Sequence, residues 1–402
     1  MLPGEVYDEL DARLGPVDDE LRRRYPGSRA ARQPVHTLYV PADRFGPSTV
    51  AEYGRAALEA VAEHGPLPFP DDVVARVLSK LEREPVEDLR VDFEDSYGRR
   101  DDAEEDAAAR WAAALLCRDP LQTLFDEEGH PVDTAPFSVG LRCKSLEAAT
   151  RRRAVRTLDV FLAELGRPPE GFVVTLPKVS AVAQVEAMVV LCGRLEATHD
   201  LAPGTLRFEV QIETPAAVLA ADGAATVARL VHAGQGRCVG LHYGTYDYSA
   251  ALGIAAAYQS LEHPAADHAK AVMQVAAAGT GVWLADGSTN IVPVGDTAAV
   301  RRAWDLHARL VRRSLERGFY QGWDLHPAQL PTRYAATYAF YRESYAAAVD
   351  RLGAYLDRRS GGVLDEPATA RALASFLLRG LDCGALDPDE VGIDRSVLKG
   401  LW

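Results

Sequence analysis

Apolar, β-branched runs of five to seven residues recur along the chain, separated by stretches rich in Ala, Leu and Glu. Short apolar runs suit strands buried on both faces, and their alternation with helix-forming sequence predicts parallel strands covered by helices. Eight such runs occur: His36–Val40 (HTLYV), Asp88–Phe93, Pro136–Arg142 (PFSVGLR), Gly171–Leu176 (GFVVTL), Leu206–Ile212 (LRFEVQI), Arg237–His242 (RCVGLH), Gly281–Ala285 (GVWLA) and Tyr320–Leu325 (YQGWDL). In the fifth, Arg207, Glu209 and Gln211 interleave with Leu206, Phe208, Val210 and Ile212. Helix-forming sequence follows each run: Ser48 is a plausible N-cap for the first helix, and an Ala-rich helix is expected near Ala103–Cys117. Eight β/α repeats predict a closed TIM (β/α)8 barrel over residues 33–330.

Residues 1–32 read as N-terminal helical decoration and residues 331–402 as a C-terminal helical extension, with a break at Gly361-Gly362 and a second helix around Ala368–Arg379. The Tyr/Ala-rich stretch Tyr334–Tyr355 reads as a long helix that could supply an apolar interface.

Composition narrows the class. A chain of 402 residues with 48% hydrophobic and 25% charged residues can bury a sizeable core. Its net charge of −14 argues against a nucleic-acid partner, and Arg151-Arg152-Arg153 reads as a solvated helix face. The five cysteines are widely spaced with no CxxC pair, which points to reduced, packed thiols rather than zinc or redox chemistry. The opening MLPGEVYDELDARLG lacks the charge-then-apolar order of a signal peptide, and no stretch reaches the ~18 apolar residues of a membrane span, so a cytoplasmic protein without a membrane partner is expected.

Catalytic groups of a β/α barrel gather where the strands end. Every expected strand here ends in charge: Asp43-Arg44, then Asp92, Glu94 and Asp95 (VDFEDSYG), Arg142 and Lys144 (LRCKS), Lys178 (LPK), Glu213 (IETP), His242 and Asp247 (HYGTYDYS), Asp286, and Asp324 with His326 (DLHP). Loops are polar in any barrel, and Asp43 and Asp286 read equally well as caps.

Carboxylates on adjacent strand ends, with room for water and substrate oxygens, form the hard oxygen site that Mg²⁺ prefers, with Mn²⁺ as the alternative ion. Glu213 and Asp247 fit that description as metal ligands. Lys178 and Arg142 bring positive charge, so a small anionic substrate is implied, with Lys178, Lys144 and His242 as candidate substrate contacts and a packed side chain as the alternative for His242. A metal chelated by a 2-oxo acid polarises its carbonyl, and Arg142 would stabilise the oxyanion of the enolate. A Schiff base through Lys144 or Lys178 is the competing chemistry, but it has no need of paired carboxylates.

In order along the chain, LYVPADR, VDFEDS, LPKV, QIETP and GFYQGWDLHPAQ resemble motifs of the HpcH/HpaI aldolase and citrate lyase β-subunit superfamily, which includes the 2-oxo-acid aldolases and malate synthase. GTLRFEVQIET followed by YGTYDYS is similar to the malate synthase pattern. The resemblance spans most of residues 36–330 and implies Glu213 and Asp247 as metal ligands and Arg142 as the catalytic arginine, although LRCKS departs from the usual sequence there. It adds Asp92, Glu94 and Asp95 as an acidic motif supporting the catalytic floor and a structural role for His326, and it suggests a homo-oligomer. The interval between Glu213 and Asp247 is longer than is usual in the family. For the base that malate synthase takes from its C-terminal domain, LDEPATARALASFL offers only a loose similarity through Asp365 and Glu366.

The expected activity is a Mg²⁺-dependent carbon–carbon lyase of the aldolase or citrate lyase type, acting through a metal-bound enolate of a 2-oxo acid. The alternatives are a malate-synthase-like condensation of a CoA thioester with glyoxylate, and a non-catalytic barrel that binds a metabolite.

Overall fold

The computed structural model describes residues 2–29, 31–117, 123–125, 131–133, 135–357 and 366–401. Eight parallel strands form the barrel: β1 His36–Pro41, β2 Asp88–Asp92, β3 Ser138–Arg142, β4 Val173–Leu176, β5 Arg207–Ile212, β6 Cys238–Tyr243, β7 Trp283–Ala285 and β8 Gly322–Asp324. Neighbours pair in order from β1 to β7, and β8 pairs with β1, placing His36 opposite Gly322. A parallel bridge between Ala285 and Gln321 closes the ring. All eight strands thus lie where the apolar runs put them, and helices surround them. A short antiparallel hairpin, Thr123–Phe125 with Pro131–Asp133, is inserted before β3 and was not anticipated.

Period-two alternation divides each strand between two environments. Leu89, Val91 and Phe93, like Phe208, Val210 and Ile212, are fully buried in the apolar shell beneath the helices. Their alternates carry charge into the barrel interior, where every ion must be paired. Arg90 donates Nε and Nη2 to the two oxygens of Glu209 at 3.2 and 3.1 Å. His242 Nε2 lies 3.0 Å from Glu209 Oε2, and Trp323 Nε1 donates to His242 Nδ1 at 3.0 Å. Burial alone would raise the Glu209 carboxyl, but Arg90 and His242 hold it well below the usual carboxylate range.

The C-terminal helices Leu330–Arg342, Tyr345–Leu356 and Pro367–Cys383 share a second apolar core with the barrel helices Thr49–His64 and Asp71–Arg83. Tyr334, Tyr338 and Tyr341 are buried there against Leu81, Leu377 and Leu386, at about 1.5–3 kcal/mol for each large side chain removed from water. Of the stretch Tyr334–Tyr355, expected to supply an apolar interface, these three tyrosines face the chain's own core. The stretch breaks between Arg342 and Tyr345 into two helices, and its Phe340, Tyr345 and Tyr355 are half-buried against the same core. The Gly361-Gly362 break and Asp365 lie outside the described residues. Among those described, no helix is long and apolar enough to cross a membrane. The N-terminal helix Gly4–Arg24 buries none of its residues.

Candidate active site

At the C-terminal ends of the strands, one ammonium group stands among four carboxylates. Lys178 follows β4 with a left-handed backbone, φ 53°. That turn aims its N–H at Glu213 Oε1, 2.6 Å away, and carries its side chain over the barrel mouth. Lys178 Nζ lies 2.6 Å from Asp247 Oδ2 and 2.9 Å from Asp95 Oδ2, with Glu94 Oε1 and Glu213 Oε1 each at 3.9 Å.

The four carboxylates come from three strand ends. Glu94 and Asp95 follow β2, Glu213 follows β5, and Asp247 lies in the first turn of the helix Thr245–Ala251 after β6. Gly244 makes the close approach feasible, since a Cβ there would lie 2.4 Å from Glu213 Cβ and 2.7 Å from its Oε2.

The cluster carries more negative charge than its lysine offsets. Burial raises the Glu213 carboxyl to about 7, and Asp247 adds to the effect against Lys178. Burial likewise raises Glu94 to about 8, where Asp95 and Glu213 work against Arg142 and Lys178. For Lys178 burial acts downward, but Glu213 and Glu94 outweigh it and push the ammonium well above its ordinary value.

Among the described residues no three His, Cys, Asp or Glu side chains converge to hold a metal. A cation here would take two protein carboxylates, Glu213 and Asp247, and complete its shell with water and substrate oxygens. That all-oxygen, partly hydrated pattern suits Mg²⁺, so the residues present fit the ion.

Arg142, the last residue of β3, is fixed from below. Its Nε and Nη2 donate to Asp92 Oδ1 and Oδ2 at 2.6 and 2.7 Å, and the guanidinium lies 4.7 Å from the centroid of the Tyr39 ring. Asp92 is fully buried and also accepts from the Glu94 N–H and the Ser96 hydroxyl, so it orients Arg142 and the acidic loop. Nη1, at 3.5 Å from Glu94 Oε2, is the guanidinium nitrogen left for a ligand. A cavity of about 440 Å³ opens beside it, lined by Tyr39, Arg44, Tyr53, Ser96, Trp323 and Leu325 among others. Arg44 has no carboxylate partner among the described residues, so two guanidinium groups face this space. The sequence reading passed over Tyr39 and Trp323, although both occupy inward positions of their strands, a pattern that could have found them.

Not every strand-end residue joins the cluster. Lys144 donates to Phe93 O at 2.6 Å and Gly98 O at 3.2 Å and pairs with Glu105 at 2.8 Å, pinning the acidic loop from outside the barrel mouth. His242 lies one layer down in the barrel interior, between Glu209 and Trp323. Asp43 pairs with Arg100, Asp286 with Lys270, and Asp324 with Arg333. His326 caps its own turn by accepting from Ala328 N at 3.2 Å.

Residues 14–401 match the model of a domain of unknown function, DUF6986. The chain belongs to this family. No curated protein matches it. Among solved structures, CitE from Mycobacterium tuberculosis in complex with magnesium, acetoacetate and coenzyme A is 20% identical, with 88% of this chain and 99% of that chain covered and a TM-score of 0.52. The citrate lyase β-subunit from M. tuberculosis with oxaloacetate and magnesium is 20% identical over 76% of this chain and 97% of its own, TM-score 0.44. RipC from Yersinia pestis is 19% identical over 76% and 95%, TM-score 0.46. At such identities the CitE complex with coenzyme A speaks for a common fold in this DUF6986 member, and the chemistry rests on its own residues.

Proposed function

We propose that this protein is a Mg²⁺-dependent carbon–carbon lyase that cleaves a small hydroxy-2-oxo acid, or a related β-hydroxy acid, through an enolate. The observation that carries the reading is the surplus of carboxylate at Glu94, Asp95, Glu213 and Asp247 around the single Lys178 ammonium, beside the clamped guanidinium of Arg142. That the magnesium-bound CitE shares this fold adds weight to it.

Glu213 and Asp247 would hold the cation. When bound, it supplies Lewis-acid polarisation of the substrate carbonyl. Arg142 presents Nη1 to the oxygen on which negative charge develops, and Asp92 keeps the guanidinium from turning away as that charge appears. Arg44 offers a counter-ion for a substrate carboxylate within the 440 Å³ cavity, whose size suits an acid of a few carbons. Tyr39 and Trp323 form its wall and limit water near the reacting carbon.

The test pairs binding with turnover. Titration calorimetry should show Mg²⁺ binding that Glu213→Gln and Asp247→Asn each abolish. A panel of hydroxy-2-oxo acids should yield pyruvate or glyoxylate only with the metal present. Undiminished Mg²⁺ binding in both variants would remove the metal assignment. Free thiol released from acyl-CoA with glyoxylate would turn the reaction into a condensation at the same residues.

A further inference from the structure

The helix Gly4–Arg24, which carries Pro16 midway, exposes apolar side chains along one face in both of its halves. Tyr7, Leu10, Leu14, Val17 and Leu21 recur at alternating intervals of three and four, each between 48% and 57% exposed, on a helix that buries nothing. This 3.5-residue period is the seam of a coiled coil, in which two helices interlock side chains along their length. A lone surface helix would instead turn its apolar positions toward its own domain.

We propose that this helix is a self-association arm that pairs antiparallel with the same helix of a second copy of the chain. Orientation follows from the charge. The next seam position after Leu21 is Arg24, and the last turn holds Arg22, Arg23 and Arg24, whereas Glu5, Asp8, Glu9 and Asp11 occupy the first half. Parallel pairing would set the two Arg24 side chains against each other in the seam.

Antiparallel pairing instead places Arg24 on the partner's Tyr7, Leu21 on the partner's Leu10, and Leu14 on the partner's Val17. It brings each basic end to an acidic one and Arg13 toward the partner's Glu20. Asp11 near the partner's Asp18 is the one unfavourable contact. Seven acidic side chains against four arginines make an anionic lipid surface a poor alternative occupant.

The root of the arm is fixed. Gly27 N donates to Gly279 O at 2.9 Å, and the Tyr25 ring meets His232 edge-on at 5.5 Å. Both anchors belong to segments leading into β6 and β7, at the N-terminal end of the strands. Pairing there leaves the opposite, carboxylate-bearing end open.

Light scattering on the eluting full chain should give twice the monomer mass at micromolar concentration. Leu10→Asp/Leu14→Asp/Leu21→Asp should give the monomer mass with an unchanged melting temperature, because the arm buries nothing in its own subunit. In a Cys117→Ser background, mixing Leu10→Cys with Leu21→Cys chains under mild oxidation should cross-link unlike chains. A monomeric wild type, or a triple variant that keeps the dimer mass, overturns the proposal. Self-linking of Leu10→Cys chains overturns the antiparallel arrangement, and co-sedimentation of monomeric wild type with phosphatidylglycerol vesicles assigns the stripe to lipid instead.

Discussion

Arg142 and Asp92 face each other as a two-point clamp, Nε to Oδ1 at 2.6 Å and Nη2 to Oδ2 at 2.7 Å, at the closing ends of neighbouring strands. The pair uses two nitrogens for position and leaves Nη1 outside the clamp, the nitrogen proposed to meet the substrate. Lysine cannot do both, having a single nitrogen. Arg142→Lys is therefore expected to lower kcat by roughly 10²–10³-fold, the usual cost of losing one oxyanion donor, while Mg²⁺ affinity by calorimetry stays near wild type. Equal losses in both would place Arg142 at the metal instead.

Removing the other half of the clamp has a different signature. Asp92→Ala leaves the buried guanidinium with only Glu94, 3.5 Å from Nη1, as counter-ion, at a cost of up to about 3–5 kcal/mol. Urea unfolding should register that loss, whereas Asp92→Asn, which keeps one acceptor, should lose less stability. A stability change near zero for Asp92→Ala would mean that Arg142 swings to a new partner.

Gly244→Ala tests the packing of Glu213. The added methyl would land 2.4 Å from Glu213 Cβ, so the carboxylate must move. If Glu213 holds the cation as proposed, displacing it through its support should weaken metal binding by roughly 10–100-fold. Calorimetry with Mg²⁺ alone reads this, and an unchanged isotherm would show that Glu213 is not held by this contact.

Stability at acid pH should depend on Glu87, buried at the foot of β2. Burial would raise its carboxyl, but Lys80 and Arg32 hold it down to about 2. Lowered in the folded state, it contributes stability that is present above its unfolded value of ~4.3 and lost as pH falls from there toward 2. A fall of that size corresponds to roughly 3 kcal/mol. Wild type should thus lose more unfolding free energy between pH 6 and pH 3 than Glu87→Gln does, and parallel losses would contradict the assignment.

Lys144→Met separates support from substrate contact. Lys144 ties Phe93 O and Gly98 O to Glu105, so its loss should loosen the loop from Glu94 to Gly98 and speed proteolytic cleavage there. Magnesium binding at the proposed Glu213–Asp247 site should change less than in Lys178→Met, which empties the centre of the cluster.

The barrel was legible because its strands are short apolar runs ending in charge, a pattern that chain-local reading can detect. Strand-end position alone did not say which polar group turns into the mouth. Lys144 and Lys178 both follow a strand closely, yet one reaches backbone carbonyls outside the mouth and the other reaches four carboxylates, and a left-handed φ at Lys178 decides the difference. His242 occupies an inward position, but its layer is set by register with β5 and by Trp323, neither visible along one strand. The aromatic face of Leu330–Arg342 was legible as apolar, but periodicity does not distinguish a partner within the chain from one outside it.

Closure of the ring through β1 and β8 bears on how the protein is made. β1 is synthesised early and finds β2 soon afterwards, but its other edge has no partner until Gly322 to Asp324 have left the ribosome. For most of translation the nascent chain carries an unsatisfied strand edge beside a half-built interior of charged side chains, which exposes it to mispairing and to chaperones. Arg333, whose guanidinium grips Asp324 from the first turns of the following helix, makes the final seal depend on sequence translated still later.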